Sequence, residues 1–309
     1  MIFYILYRIG QVLALNLPLK LSYRVAVALA DIHYCLGFRE RFSVTENLKT
    51  ILAGPSRDDG LRQAAKDVFR NFAKYLVDFF RFSKMDAEYV KRFIKMEGLS
   101  NIEDALKYGK GVIILSAHLG NWELGAFAMG TLGYPINAVV LTHRNVRIND
   151  FFKAQRAMGK LKSIEFGASL RGCYKALKNN ELLALLGDRD FSINGLPAIF
   201  FGKPVASMPK GPAALSYRTG AAIVPSFITR NGDDTFTFAF EKPILPEAST
   251  GLGPGGPEAA GDEDSAIKGI MGKYLPVIES YVKRYPGQWY VFRNFWNPSH
   301  EELRTNTII

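Results

Sequence analysis

His118 and Glu123 stand five residues apart in His118-Leu119-Gly120-Asn121-Trp122-Glu123, directly after the apolar run Gly111-Val112-Ile113-Ile114-Leu115-Ser116. An imidazole beside a carboxylate is suited to general-base chemistry, in which the acid holds the ring and the ring takes a proton. Five residues of α-helix turn through roughly 500°, leaving the two side chains roughly 140° apart rather than on one face. The pair therefore cooperates only if the chain turns between them, and Gly120 and Asn121 are residues that permit a turn. The expected arrangement is a strand, a tight turn carrying His118, and a helix with Glu123 in its first turn. There the carboxylate is expected to accept a hydrogen bond from the imidazole and fix its tautomer. A satisfied core or capping histidine is the competing reading of the same spacing.

The surrounding sequence supplies the elements that must hold such a turn. Apolar runs at 136–142, 182–187, 221–228 and 235–241 read as strands. Helical patterns at 151–162, 168–178 and 210–219 lie between several of them, and a C-terminal helix is expected over about 264–283. Upstream, 43–52 reads as a short helix opening on a Ser or Thr cap, and 100–108 as another. Residues 61–83 carry Val68, Phe69, Phe72, Tyr75, Leu76, Phe79 and Phe80 at helical spacing, a stripe that reads as core and also suits an acyl-chain groove. Alternating strands and helices predict an α/β layered domain, its central sheet mixed and mostly parallel, flanked by helices. In such sheets ligands bind beyond the carboxyl ends of the strands, where His118 falls. The Gly- and Pro-rich stretch 249–262 reads as a surface loop and 299–309 as a loose tail.

Composition narrows the partners. The 309 residues, 48% hydrophobic and 13% aromatic, describe an ordered chain with a sizeable core. A net charge of +10 points to an anionic partner: nucleic acid, an acidic membrane surface, or phosphorylated substrates and carriers. Cys35 and Cys173 are far apart and give neither a disulfide framework nor metal-ligand spacing. No nucleic-acid module signature appears and the basic residues are dispersed, which argues against a nucleic-acid partner. Residues 2–17 are almost wholly apolar but broken by Arg8, Gly10 and Gln11, at or below the roughly 17–25 residues that span a bilayer. The stretch has no basic leader or small-residue cleavage site, against a removable signal peptide. With the amphipathic 19–36 it reads as membrane-anchoring helices over 1–42, embedded or interfacial, with Arg8 snorkelling to headgroups; helices that merely pack on the domain are the alternative. A catalytic domain is expected over 43–298.

Three further segments join His118–Glu123 in a recognisable set. They are Leu141-Thr142-His143-Arg144-Asn145 with Arg147 and Asn149; Gly187-Asp188-Arg189-Asp190 leading to Phe200-Phe201-Gly202 and Lys210-Gly211-Pro212-Ala213-Ala214-Leu215; and Tyr285-Pro286-Gly287-Gln288-Trp289-Tyr290-Val291-Phe292-Arg293-Asn294-Phe295-Trp296. Over about 2–298 the chain resembles the lipid A biosynthesis lauroyl/myristoyl acyltransferases, a branch of the lysophospholipid acyltransferase superfamily. It departs from them in the long glycine-rich 249–262.

The resemblance implies a glycerol-3-phosphate acyltransferase-like fold and transfer of a fatty acyl group from an acyl thioester to a hydroxyl of a lipid A precursor or related glycolipid. The donor would be carried by acyl carrier protein or coenzyme A, with no other cofactor and no metal, by a monomer at the cytoplasmic face of a bacterial inner membrane. The residues agree with direct attack, since there is no G-x-S-x-G elbow and neither cysteine has a partner base. His118 is then the base and Glu123 its support. Backbone N–H groups of Gly120 and Asn121 and the side chain of Arg144 are candidate oxyanion donors, with Arg144 also readable as a surface arginine. Asp188 and Asp190 either pin Arg144, hold the acceptor or cap a helix. Phe201, Gly202, Lys203, Lys210 and Gly211 are expected on the acceptor side, where glycines admit backbone N–H groups to a phosphate and lysines add charge. Trp289, Phe292 and Trp296 read as core or interfacial anchors. A lysophospholipid or phosphatidylinositol mannoside is an alternative acceptor, and a basic membrane-surface scaffold the non-enzymatic alternative.

Overall fold

The structure is a computed structural model and describes residues 2–52, 58–143, 145–166, 169–190, 194–246 and 257–297. The expected 249–256 part of the glycine-rich loop and the 299–309 tail lie outside the described residues. Four helices come first: α1 (Ile2–Asn16), α2 (Leu19–Leu36), α3 (Phe38–Ile51) and α4 (Asp58–Phe80). Then follow α5 (Ala87–Phe93), β1 (Ile94–Glu97), α6 (Ser100–Leu106), β2 (Val112–Ser116), α7 (Trp122–Thr131), β3 (Ile136–Val140), α8 (Val146–Met158), β4 (Lys162–Glu165), α9 (Ser169–Lys178) and β5 (Leu182–Leu186). The chain continues through β6 (Leu196–Phe200), β7 (Lys203–Met208), α10 (Gly211–Thr219), β8 (Ala222–Arg230), β9 (Phe236–Phe240) and α11 (Pro257–Arg284).

Seven strands form one sheet in the order β1-β9-β8-β2-β5-β3-β4. Only the β8–β9 pair is antiparallel among the described pairings of this sheet. The architecture is therefore α/β, a mostly parallel central sheet between helices. The continuous apolar runs explain it. Every residue of β2 and β8 is buried, as a parallel sheet covered on both faces requires. One core lies beneath α9, α10 and α11 and the other beneath α6, α7 and α8, on opposite faces.

Local differences from the expected elements have local causes. The helix expected at 43–52 begins at Phe38, so Ser43 and Thr45 lie inside it rather than at its cap. The segments β4 and α5 carry too few residues for periodicity to declare them. The Phe200–Lys203 stretch is the tip of an antiparallel hairpin between β6 and β7. Phe201 (φ 53°) and Gly202 (φ 69°) both adopt the left-handed conformation of a two-residue hairpin turn.

The N-terminal expectation needs correction in one respect. Among the described residues no helix is long and apolar enough to cross a membrane. At about 1.5 Å per residue the 15 residues of α1 reach about 22 Å, short of a hydrocarbon core of about 30 Å. Arg8 is exposed, and its Nη1 donates to Gln11 Oε1 at 2.8 Å. The inner faces of α1 and α2 add Ala14, Tyr23 and Ala30 to the cores, while Ile2, Phe3, Leu6, Ile9, Leu29, Ile32, Leu36, Phe38 and Phe42 are exposed.

Candidate active site

β2 and β5 are parallel neighbours with Ser116 opposite Leu186. Two residues beyond each strand end, the same register sets His118 beside Asp188. His118 Nδ1 lies 2.8 Å from Asp188 Oδ1, and the His118 backbone N–H donates to Oδ2 at 3.1 Å. Trp289 Nε1 donates to the same Oδ2 at 3.0 Å. Both residues are buried, His118 3% exposed and Asp188 0%.

This corrects the expected partner of the imidazole. The carboxylate on His118 is Asp188, from the adjacent strand, and Glu123 turns to Arg156 on α8. Arg156 Nε donates to both Glu123 oxygens at 3.0 Å and Nη2 to Oε1 at 2.6 Å. A buried guanidinium demands a counter-charge, and Glu123 in the first turn of α7 is the carboxylate within reach.

The turn between them is tied down on all sides. Gly120 has φ +65°, and a Cβ there would fall 1.9 Å from the Ile228 carbonyl oxygen, so this position requires glycine. Asn121 caps α7, its Oδ1 accepting from the Leu124 N–H at 3.1 Å. The Gly120 N–H donates to the Gln288 carbonyl at 2.9 Å and the Asn121 N–H to the Ile228 carbonyl at 3.0 Å. Both expected oxyanion donors are thus committed to holding the turn. Arg144, the other expected donor, lies outside the described residues. The Tyr290 N–H closes onto the His118 carbonyl at 2.8 Å, so the C-terminal segment straps the turn to β8.

Beneath the turn lies a buried polar network. Asp78 of α4 accepts from Tyr23 of α2, from Arg230 Nη2 of β8 and from Asn121 Nδ2 at 2.8 Å. Arg230 exchanges backbone bonds with the Gln288 side chain, at 2.9 Å each way. The cap of α7 is therefore keyed to α2, α4 and β8 together.

Charge settles the proton. Three donors converge on the Asp188 carboxyl group, which favours its ionised, acceptor-only form. Burial would raise its pKa, but His118, Arg189 and the Trp289 indole outweigh burial and hold it well below the usual carboxylate range. The proton of the His118–Asp188 bond then belongs to Nδ1. Burial and the nearby Arg189 guanidinium lower the imidazole pKa against the pull of Asp188, keeping the ring neutral.

His118 lines a cavity of about 600 Å³. Glu123, Arg156, His143, Arg189, Asp190, Lys210 and Gly211 share its lining with mostly apolar residues; Phe201, Gly202 and Lys203 do not. Two of these three are held elsewhere, the Phe201 N–H on Glu279 at 2.7 Å and Lys203 Nζ on Thr50 at 2.9 Å. Lys210 pairs with Asp264 at 3.6 Å. Asp190 binds the Ser207 hydroxyl and the Gly195 N–H, the latter at 2.8 Å, and so anchors the segment after β5 to the hairpin. Arg156, Asp78 and Arg230 escaped the sequence reading because no short spacing links them to His118, while Arg189 stood in the Gly187–Asp190 motif without a role. The signal for Trp289 was present in its motif, though not its role as a donor to Asp188. Among the described residues no group of three His, Cys, Asp or Glu side chains is placed to hold a metal ion.

Comparison with known proteins assigns this arrangement to a family. Residues 1–297 match the family model described as bacterial lipid A biosynthesis acyltransferase. The chain is 23% identical to a phosphatidylinositol mannoside acyltransferase of Mycolicibacterium smegmatis over 81% of this chain and 77% of that protein. It is 27% identical to the lipid A biosynthesis palmitoleoyltransferase of Escherichia coli over 67% of this chain and 62% of that one. To the phosphatidylinositol mannoside acyltransferase of Mycobacterium tuberculosis it is 25% identical over 50% and 51% of the two chains. The protein belongs to the bacterial lipid A biosynthesis acyltransferase family and is an acyltransferase.

Proposed function

We propose that the protein transfers a fatty acyl group from an acyl carrier protein or coenzyme A thioester to a hydroxyl of a lipid A precursor or related glycolipid, with His118 as general base. The supporting observation is the buried imidazole with Nδ1 on Asp188, at the wall of a mostly apolar cavity of about 600 Å³. His118 Nε2 takes the proton of the acceptor hydroxyl as its oxygen attacks the thioester carbonyl. The C–S bond then breaks, and the thiolate leaves with the proton from the imidazolium that Asp188 has stabilised. Arg189 lines the cavity beside the pair and supplies positive charge for the developing oxyanion. Glu123 and Arg156, fixed on each other, shape the wall rather than move protons.

The net charge of +10 supports an acidic carrier or phosphate-bearing partner. The exposed apolar residues of α1, α2 and α3 support attachment within a membrane interface; the proposed reaction places that interface at the cytoplasmic face of a bacterial inner membrane. A phosphatidylinositol mannoside or lysophospholipid acceptor is the second reading, supported by the Mycolicibacterium relative, whose match covers more of the chain than the Escherichia one.

The test is mass spectrometry of lipids from a strain lacking the protein, complemented by the wild type or by His118→Ala. Wild type is expected to restore one acylated lipid, whose identity decides between the acceptors. His118→Ala is expected to restore nothing while still sedimenting with membranes; full restoration by that variant would refute the base assignment. The pH dependence follows from the lowered imidazole pKa. Protonation removes the base, so transfer is lost as pH falls, with a midpoint below the ordinary value of about 6.5. A rate profile with its acid limb above that value would contradict it.

A further inference from the structure

We infer that the cavity at His118 holds two hydrocarbon chains in separate arms, the transferred acyl chain in one and a chain of the acceptor lipid in the other. The occupants are named on the acyl-transfer reading; the two arms follow from the sheet alone. Successive side chains of a strand point to opposite faces. On β3, Ile136, Ala138 and Val140 face one way and Val139 the other, yet all four line the cavity. On β5 the same holds for Ala184 and Leu186 against Leu185. Ala138 and Ala184 pack on one of the two cores, Val139 and Leu185 on the other. A single void that touches both faces of one sheet must pass over the rim where its strands end. Ser116, His118, Leu186 and Arg189 form that rim. The base stands at the fork.

The two arms differ in how they end. The first runs between α7 and the sheet, roofed by Gly125, Ala126 and Met129 and closed by Ile136, Ile228 and Phe238, all three of these buried. A closed arm accepts one chain terminus and limits its length, which suits the acyl group being moved. The second runs beneath α9 and α10, lined by Leu170, Cys173, Pro212 and Leu215, with Lys210 and Arg218, paired to Asp264 and Glu263, also in the lining. Its outer end reaches Leu170, which is 59% exposed. The apolar residues of this arm suit a hydrocarbon chain better than the amide-rich arm of a thioester carrier, whose polar groups would meet those side chains. An open end sets no length limit, which suits a chain belonging to a larger lipid whose hydroxyl is presented at His118.

Photo-labelling of the full-length protein tests this without turnover. The probe is hexadecanoic acid with a diazirine at its methyl end, and adducts are mapped by peptide mass spectrometry. Adducts are expected on both the Gly125–Ile136 segment and the Leu170–Cys173 segment. Leu170→Trp, at an exposed position, should reduce the second set roughly tenfold, the loss of about two buried methylenes' contact, and spare the first. Ala126→Trp should do the reverse. Adducts confined to one segment, or both sets falling together in either variant, would overturn the second arm. Wild-type protein labelled in both arms but unable to transfer an acyl group would refute the proposed reaction and leave the arms standing.

Discussion

Asp188→Asn is expected to lower the rate of acyl transfer by about 10²–10⁴-fold, as much as His118→Ala, in a protein that remains folded. The carboxylate accepts from His118 Nδ1, from the His118 backbone and from Trp289. An asparagine replaces one of its two oxygens with a donor. With the backbone and indole N–H groups fixed on Oδ2, the amide NH₂ falls opposite Nδ1, and the ring is forced to carry its proton on Nε2. The lone pair that should receive the acceptor's proton is then gone. The loss should fall on kcat more than on KM, since nothing that grips either chain has changed. Nitrogen NMR of the imidazole would report the tautomer directly. Wild-type turnover, or an unchanged tautomer, would remove Asp188 from the mechanism.

Asp78→Ala is expected to destabilise the fold by about 3–5 kcal/mol, measured by urea denaturation, because it removes the buried counter-charge of Arg230 and leaves only the partly exposed Asp234, at 3.3 Å. Asp78 is wholly buried and Arg230 is 8% exposed, so water cannot replace the lost partner. The double variant Asp78→Leu, Arg230→Met should recover most of that stability, since apolar residues of similar volume need no pairing. It should not recover activity in full, because Asn121 Nδ2 loses its acceptor and the cap of α7 loosens beside His118. A single-variant cost below about 1 kcal/mol would place the pair with exposed ion pairs and dissolve its link to the turn.

Much of the site was legible at short range. The apolar run before His118 and the glycine and asparagine that permit a turn lie within a few residues of one another; the structure buries the run as β2, turns at the glycine and makes the asparagine the cap of α7. The mostly parallel sheet was legible because doubly covered strands must be apolar throughout. What short range misjudged was the partner of the imidazole and the fate of the turn's N–H groups. Glu123 is near in sequence but drawn to Arg156, 33 residues away, and the N–H groups go to Ile228 and Gln288. The Phe201–Lys203 segment read as an acceptor loop, yet its positive φ values make it a hairpin tip outside the cavity lining.

By itself the chain determined where strands, helices and sharp turns form, because periodicity, caps and glycine conformations depend on neighbours a few residues away. Which carboxylate meets His118 was decided only in three dimensions. Asp188 is 70 residues distant, and it arrives because β2 and β5 pair in a register that brings their ends level. The same pairing lets one void wrap the rim of the sheet, since a rim exists only once separate strands have been laid side by side.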